Sequence, residues 1–144
     1  FIYNIRERQM RNYYKRADLM PGPTGENLLV LLERRLDNLI YKAGFAATIW
    51  AARQLVVHGH VLVNGDRLDL PSYQVQASDV IELHDRMKKN VHVGEWVEQV
   101  AAYPPYLSVK KDARQATLDR YPEAGEVQVP VDIQLVVEFY NRLT

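Results

Sequence analysis

Apolar positions divide the chain into a helical front and a strand-rich middle. From Phe1 to Leu19, Ile2, Ile5, Met10, Tyr13 and Ala17 recur near helical spacing with arginines between them, which predicts a first helix over residues 1–19. Pro21-Gly22-Pro23 ends it, because proline removes a backbone donor and disfavours helix in the residue before it. A second helix is expected from Thr24. Leu28, Leu32, Leu36, Leu39 and Ala43 hold one face without interruption, and Gly44 suits the left-handed residue just past its end. Thr48 then caps a third helix to His58, burying Ala52, Leu55 and Val56 and leaving Trp50, Arg53, Gln54 and Val57 on another face.

From His60 the period shortens to two. Val61-Leu62-Val63 runs into Asn64-Gly65, the dipeptide suited to a tight hairpin with positive φ at both central residues, and Arg67 to Leu70 follow. Tyr73-Gln74-Val75 and Val80 to Leu83 are expected as short strands about the turn Gln76 to Asp79. Further on, Val93 to Ala102 reads as a helix, Tyr106 to Val109 as a strand and Val127 to Val129 as a last strand. Pro130 and Asp132 would open a final helix burying Leu135, Val136, Phe139 and Tyr140.

Composition narrows the classes. With 144 residues, 47% hydrophobic and 25% charged, the chain matches globular usage and can bury a core. Its apolar runs are far shorter than the roughly 20 residues a membrane helix needs, so no membrane partner is expected. The absence of cysteine removes disulfides, thiolate catalysis and cysteine-held metal. Nothing near Phe1 resembles a signal peptide, and a start without Met reads as part of a longer protein.

The net charge of zero hides an asymmetry: residues 1–58 carry +4 and residues 59–144 carry −4. The positive excess lies mostly in residues 1–16, where Arg6, Arg8, Arg11, Lys15 and Arg16 face only Glu7 among Tyr3, Tyr13 and Tyr14. A basic face there suits phosphate, while the acidic half does not.

Enzymatic signatures are weak. His58-Gly59-His60 offers two imidazoles without cysteine, too few for a closed metal site, and reads better as a glycine turn with histidines at the surface. No Gly-x-Ser-x-Gly elbow or glycine-rich phosphate loop occurs. Arg35-Leu36-Asp37 resembles the catalytic stretch of pseudouridine synthases, but here a helix continues through Asn38 to Tyr41; the pair is expected on a solvated or RNA-facing helix surface. By contrast, Arg34, Arg35, Lys42, Arg53, His58, His60, Asn64 and Arg67 fall on two short helices and the hairpin after them, an arrangement that can track a phosphate backbone.

Gly25-Glu26-Asn27-Leu28-Leu29, Leu32 to Asn38, Ala52 to Val56, His58-Gly59-His60, Leu62 to Gly65 and Pro71-Ser72-Tyr73 together resemble the S-four family of small-subunit ribosomal proteins. Arg6-Glu7-Arg8-Gln9, Arg11 to Tyr14 and Leu135 to Tyr140 extend the resemblance over nearly the whole chain. It implies an α+β fold: a helical subdomain (1–32 and 124–144) with an inserted RNA-binding subdomain (33–123) of two helices and a small antiparallel sheet. It further implies binding to the five-way junction of 16S ribosomal RNA early in assembly, contact with neighbouring ribosomal protein S-five, and a position near where messenger RNA enters, on a bacterial cytoplasmic or organellar ribosome. No cofactor, metal or catalysis is implied. By position, Arg6, Arg8 and Arg11 match the family's basic helix. Arg34, Arg35, Thr48, Arg53, Gln54, His58, His60, Asn64, Ser72 and Tyr73 match its module, meeting backbone and shape rather than reading bases. The other reading is an RNA-modifying enzyme or stress factor that borrows the module, which would share only about Arg34 to Leu83.

Several positions depart from the family pattern. Ile49, resembling plastid members, and an unusual Trp50 follow the Thr cap; Asp66, Gln74 and Gln76 stand where cations are usual, and Ala77-Ser78 where Pro-Gly is usual. The family's basic N-terminal extension, sometimes with a zinc site, is also missing from this sequence. Each lost cation removes about one counterion's worth of salt-dependent affinity, so weaker RNA binding is expected here.

Overall fold

The computed structural model describes residues 6–127 and 133–142, and the chain divides into two compact units, Phe1–Glu33 with Pro122–Thr144, and Arg34–Tyr121. The parts of the first helix before Arg6, of the strand expected after Val127, and of the final helix's start at Pro130 and Asp132 lie outside the described residues.

In the first unit, helix α1 (Glu7–Leu19) buries Met10, Tyr13, Tyr14 and Ala17, as its spacing predicts. Pro21 to Pro23 turn the chain into α2 (Thr24–Glu33), and the Asn27 side-chain amide donates to the Ala17 carbonyl at 3.1 Å, tying the turn to the end of α1. Leu28, Leu31 and Leu32 complete the core with Tyr140 of α7 (Ile133–Arg142), whose ring stacks on Tyr14 at 5.5 Å between centroids. The apolar face expected on α7 is only partly buried: Tyr140 is inside and Val136 and Val137 pack against the core, but Leu135 and Phe139 are exposed. Helix α7 meets α1 and α2, and Leu135 and Phe139 of its wide apolar stripe stay outside that packing. Val127 follows a 3₁₀ turn, Ala124–Glu126.

The second unit begins where the expected helix is interrupted. The expected helix from Thr24 to Ala43 breaks at Arg34 and Arg35 and resumes as α3 (Leu36–Lys42). Arg35 is extended, with φ −61° and ψ 139°, and forms an isolated antiparallel bridge with Gln74. Leu36 N–H donates to Tyr73 O at 3.0 Å, Asp37 N–H to Pro71 O at 3.2 Å, and Val75 N–H to Arg34 O at 3.0 Å. These long-range bonds replace the helical ones lost at the break, and they also explain why Tyr73 to Val75 adds no strand to the sheet. The continuous leucine stripe serves two cores. Leu28, Leu31 and Leu32 belong to the first, Leu36, Leu39 and Ile40 to the second.

Gly44 closes α3 at φ +84°, and a Cβ there would overlap Val100 Cγ2. Helix α4 (Ile49–Val57) starts where expected, Thr48 Oγ1 accepting from Ala51 N–H at 3.0 Å. A five-stranded antiparallel sheet follows in the order β2-β1-β3-β5-β4, from β1 (Val61–Val63), β2 (Asp66–Arg67), β3 (Val80–Leu83), β4 (Leu107–Lys110) and β5 (Gln115–Leu118). Asn64 and Gly65 make the hairpin with φ 51° and 87°. Between β3 and β4 lie a single turn α5 (Asp85–Lys88) and α6 (Val91–Gln99), capped by Asn90. Val93 and Val97 of α6, Tyr106, Ile81 and Leu118 share the core with Leu36, Phe45 and Val56. The segment after His84 alternates short elements with turns, and α5 and β5 carry no distinct period in the sequence.

Candidate nucleic-acid interface

Helix α1 sorts its charges by the same periodicity that builds the core. Arg6 is its N-cap, and Arg6, Arg8, Arg11 and Lys15 are all exposed, opposite the buried Met10, Tyr13 and Tyr14. Arg11 lies 4.0 Å from Glu7, a solvated i,i+4 pair worth little. These guanidinium and ammonium groups are open to an anionic partner.

The second unit treats its expected site residues in three ways. Arg35 departs from its expected place on the surface. It is interior, 2% exposed, and grips the fully buried Asp37 through Nε–Oδ1 at 3.1 Å and Nη2–Oδ2 at 3.0 Å. Arg53 Nε reaches Asp37 Oδ2 at 3.1 Å, and Asn38 N–H donates to Oδ1 at 2.7 Å. The expectation that Arg35 and Asp37 lie on a solvated helix surface is overturned by their burial, and the arginines pair the carboxylate because an unpaired one at this depth would be too costly. With its oxygens enclosed by two guanidiniums, Asp37 also lacks the open approach that attack on a base would need.

A second group, the exposed Asn64 with the half-buried Tyr73 and Arg34, is tied into the fold at the surface. Asn64 gives Nδ2–H to Asp79 Oδ1 at 2.9 Å and accepts Val80 N–H on Oδ1 at 2.9 Å. Tyr73 O–H and Gln76 N–H both donate to Asp79 Oδ2 at 2.9 Å. Burial would raise the Asp79 carboxyl, but the Gln76 N–H, the Asn64 amide, the Tyr73 hydroxyl and the charge of Arg34 hold it below its ordinary value. The same burial, with the bond to Asp79, raises the Tyr73 phenol. Arg34 Nε donates to Val75 O at 2.9 Å, and its guanidinium sits over the Tyr121 ring at 4.1 Å from the centroid. Asn64, Tyr73 and Arg34 thus act first in holding the hairpin and the 71–79 segment.

The third group faces solvent in whole or part: Lys42, Thr48, Gln54, His58, His60, Arg67 and Ser72. Gly59, at φ +77°, lets the chain turn from α4 into β1, and the Arg67 side chain crosses over it. This brings His58, His60 and Arg67 together, with the two imidazoles 6.4 Å apart edge to face. Among the described residues no group of three metal-ligating side chains gathers, and no helix is long and apolar enough to cross a membrane. Trp96, His92 and Arg86 near this turn carry no signal in the sequence that marks them as site residues, since their segment shows no clear period.

Residues 1–33 match the family model described as Ribosomal protein S4/S9 N-terminal domain, and residues 34–81 match that described as S4 domain. The Small ribosomal subunit protein uS4 of Micrococcus luteus is 48% identical over 97% of this chain and 70% of its own length. The chain belongs to the uS4 family. The uS4 proteins of Corynebacterium kroppenstedtii and Pelobacter propionicus are 44% and 45% identical, over 99% and 98% of this chain and 72% and 69% of their own lengths. Membership of the uS4 family covers the flanks as well as the module, which disfavours an enzyme or stress factor carrying the module alone. The uS4 S4-domain match begins at Arg34, the residue at which α2 gives way to the Arg35 break.

Proposed function

We propose that this chain is a structural, ribosome-associated component of the small subunit that binds 16S ribosomal RNA at its five-way junction and helps nucleate assembly. The observation that carries this reading is the match to proteins named uS4 over 97–99% of the chain, flanks included. The geometry agrees with it. Two separate sets of polar groups, the exposed Arg6, Arg8, Arg11 and Lys15 on α1, and the exposed or half-buried Lys42, Thr48, Gln54, His58, His60 and Arg67 around α4 and the hairpin, suit backbone contact with structured RNA. Arg34, Arg35, Arg53, Asn64 and Tyr73 support that surface through their internal bonds, with Ser72 beside them. The helical unit and the S4-domain unit each contribute. Protein S-five and messenger RNA where it enters the subunit are the further partners in this reading.

Filter binding of the chain to a transcript of the five-way junction, against an unrelated hairpin of equal length, tests it. The junction is expected to bind more tightly at low salt, with affinity falling steeply as salt rises. Equal affinity for the two RNAs refutes the specific claim.

A further inference from the structure

Beside α4, the second unit holds an open cavity of about 430 Å³. Trp50, Gln54, His58 and His60 line it from α4 and the glycine turn, and His92 and Trp96 from α6. Both indoles are unusually exposed, Trp50 at 58% and Trp96 at 39%, and they are the only tryptophans in the sequence. An adjoining cavity of about 350 Å³ shares Trp96 as a wall and has Lys42 on its lining. No carboxylate lines either cavity among the described residues, although exposed Glu95 approaches His92 Nδ1 to 3.9 Å. The His60 imidazole is held below its ordinary pKa first by burial, then by the positive fields of His58, Arg86, His84 and Arg67. The walls of the cavity are thus aromatic and polar without a carboxylate, and the Arg67 side chain lies over the adjoining glycine turn.

We infer that this cavity receives an unpaired nucleobase of the bound RNA, stacked against Trp50 and Trp96, with Arg67 and Arg86 toward the adjoining phosphates. The inference rests on the RNA-binding reading above and adds a mode of contact to it. Aromatic faces hold unstacked bases because every base offers a π-surface, whereas duplex RNA keeps its bases stacked within itself. The volume lies within the roughly 300–1,000 Å³ of small-ligand sites, room enough for a base. Gln54 and the imidazoles supply donors and acceptors to a base edge.

Because both tryptophans line this cavity, intrinsic fluorescence reports on it directly. The full chain is titrated at low salt with an oligouridylate of about ten nucleotides, a length within the range one small domain covers, and with blunt duplex RNA of equal nucleotide content. Quenching is expected with the single strand and not with the duplex. Trp50→Ala should weaken single-strand binding roughly 5- to 150-fold, the loss of one stacked base, and Trp50→Phe should restore most of it. The salt dependence should stay as it was, because every phosphate contact is retained. Trp50 is exposed enough that its replacement leaves the core intact, so this variant decides the matter even where Trp96→Ala perturbs folding. Equal quenching by duplex, or unchanged affinity in Trp50→Ala, overturns the inference. Titration of the same protein with the five-way junction separates the two claims. If the junction binds and the single strand neither quenches nor binds, only the cavity assignment falls; if neither RNA binds, the RNA-binding reading falls and the cavity assignment with it.

Discussion

Arg35 and Asp37, two positions apart, form a bidentate ion pair in the interior, with Arg35 Nη2 3.0 Å from Asp37 Oδ2 and neither side chain more than 2% exposed. The pair can form because Arg35 is extended rather than helical, which turns its guanidinium back onto the first turn of α3. The helix break and the buried charge are thus one feature.

Removing the carboxylate takes the bidentate pairing from the buried Arg35 and the Oδ2 contact from Arg53. Asp37→Ala is expected to lower the unfolding free energy by about 3–5 kcal/mol, measured by urea denaturation. Arg53→Ala should cost less, since that side chain is 20% exposed and water can replace part of its bonding. A loss below about 1 kcal/mol for Asp37→Ala, the worth of a surface pair, would contradict the buried ion-pair assignment.

Asp79 makes stability depend on pH. Its folded pKa lies below the ordinary 3.8 that it takes when unfolded. Its contribution is therefore complete above the unfolded value and fades as pH falls through the folded one. Unfolding free energies measured downward from about pH 5 should fall, and Asp79→Asn should remove part of that slope while lowering stability at neutral pH. An unchanged slope in Asp79→Asn would assign the acid sensitivity to other carboxylates.

Gly44 meets two demands at once, a positive φ and the near approach of Val100. Gly44→Ala should cost about 1–2 kcal/mol for the left-handed backbone alone, plus the overlap with the valine methyl. Combining it with Val100→Ala should recover most of the overlap but not the backbone cost, because φ stays positive and Val100 Cβ still stands 3.3 Å from the new Cβ. Thermal melts of the two single variants and the double variant separate these contributions.

The basic face of α1 is tested by its effect on ionic strength dependence. Replacing Arg6, Arg8 and Arg11 together with glutamine should flatten the slope of log affinity against log salt by about one for each phosphate that the variant no longer neutralises. Folding should be unaffected, since all three are exposed. An unaltered slope would make this face merely solvated.

The elements that local chemistry specifies were legible. Thr48 caps α4 with a hydroxyl three residues from the amide it accepts. Asn64-Gly65 supplies the two positive φ values of the hairpin, and the alternation of Arg8, Arg11 and Lys15 with Met10, Tyr13 and Tyr14 separates a charged face from a buried one. The break at Arg35 was not legible, because the leucine stripe runs through it at unbroken helical spacing and nothing local marks where one core stops. Arg35 likewise reads as a surface donor, although it is paired inside the unit, and the bond by which the exposed Asn64 holds Asp79 has no local signal.

By itself the sequence determined a helical front, a hairpin after α4, a basic α1 and membership of a ribosomal family, since all of these depend on residues close together in the chain or on motifs in order. Only tertiary structure decided which leucines serve which core, which arginines are buried, and that Trp50 and Trp96 line one cavity. Those outcomes depend on backbone bonds between the 34–37 and 71–75 segments and on the packing of α6 into the second core, contacts between residues distant in sequence that no local period encodes.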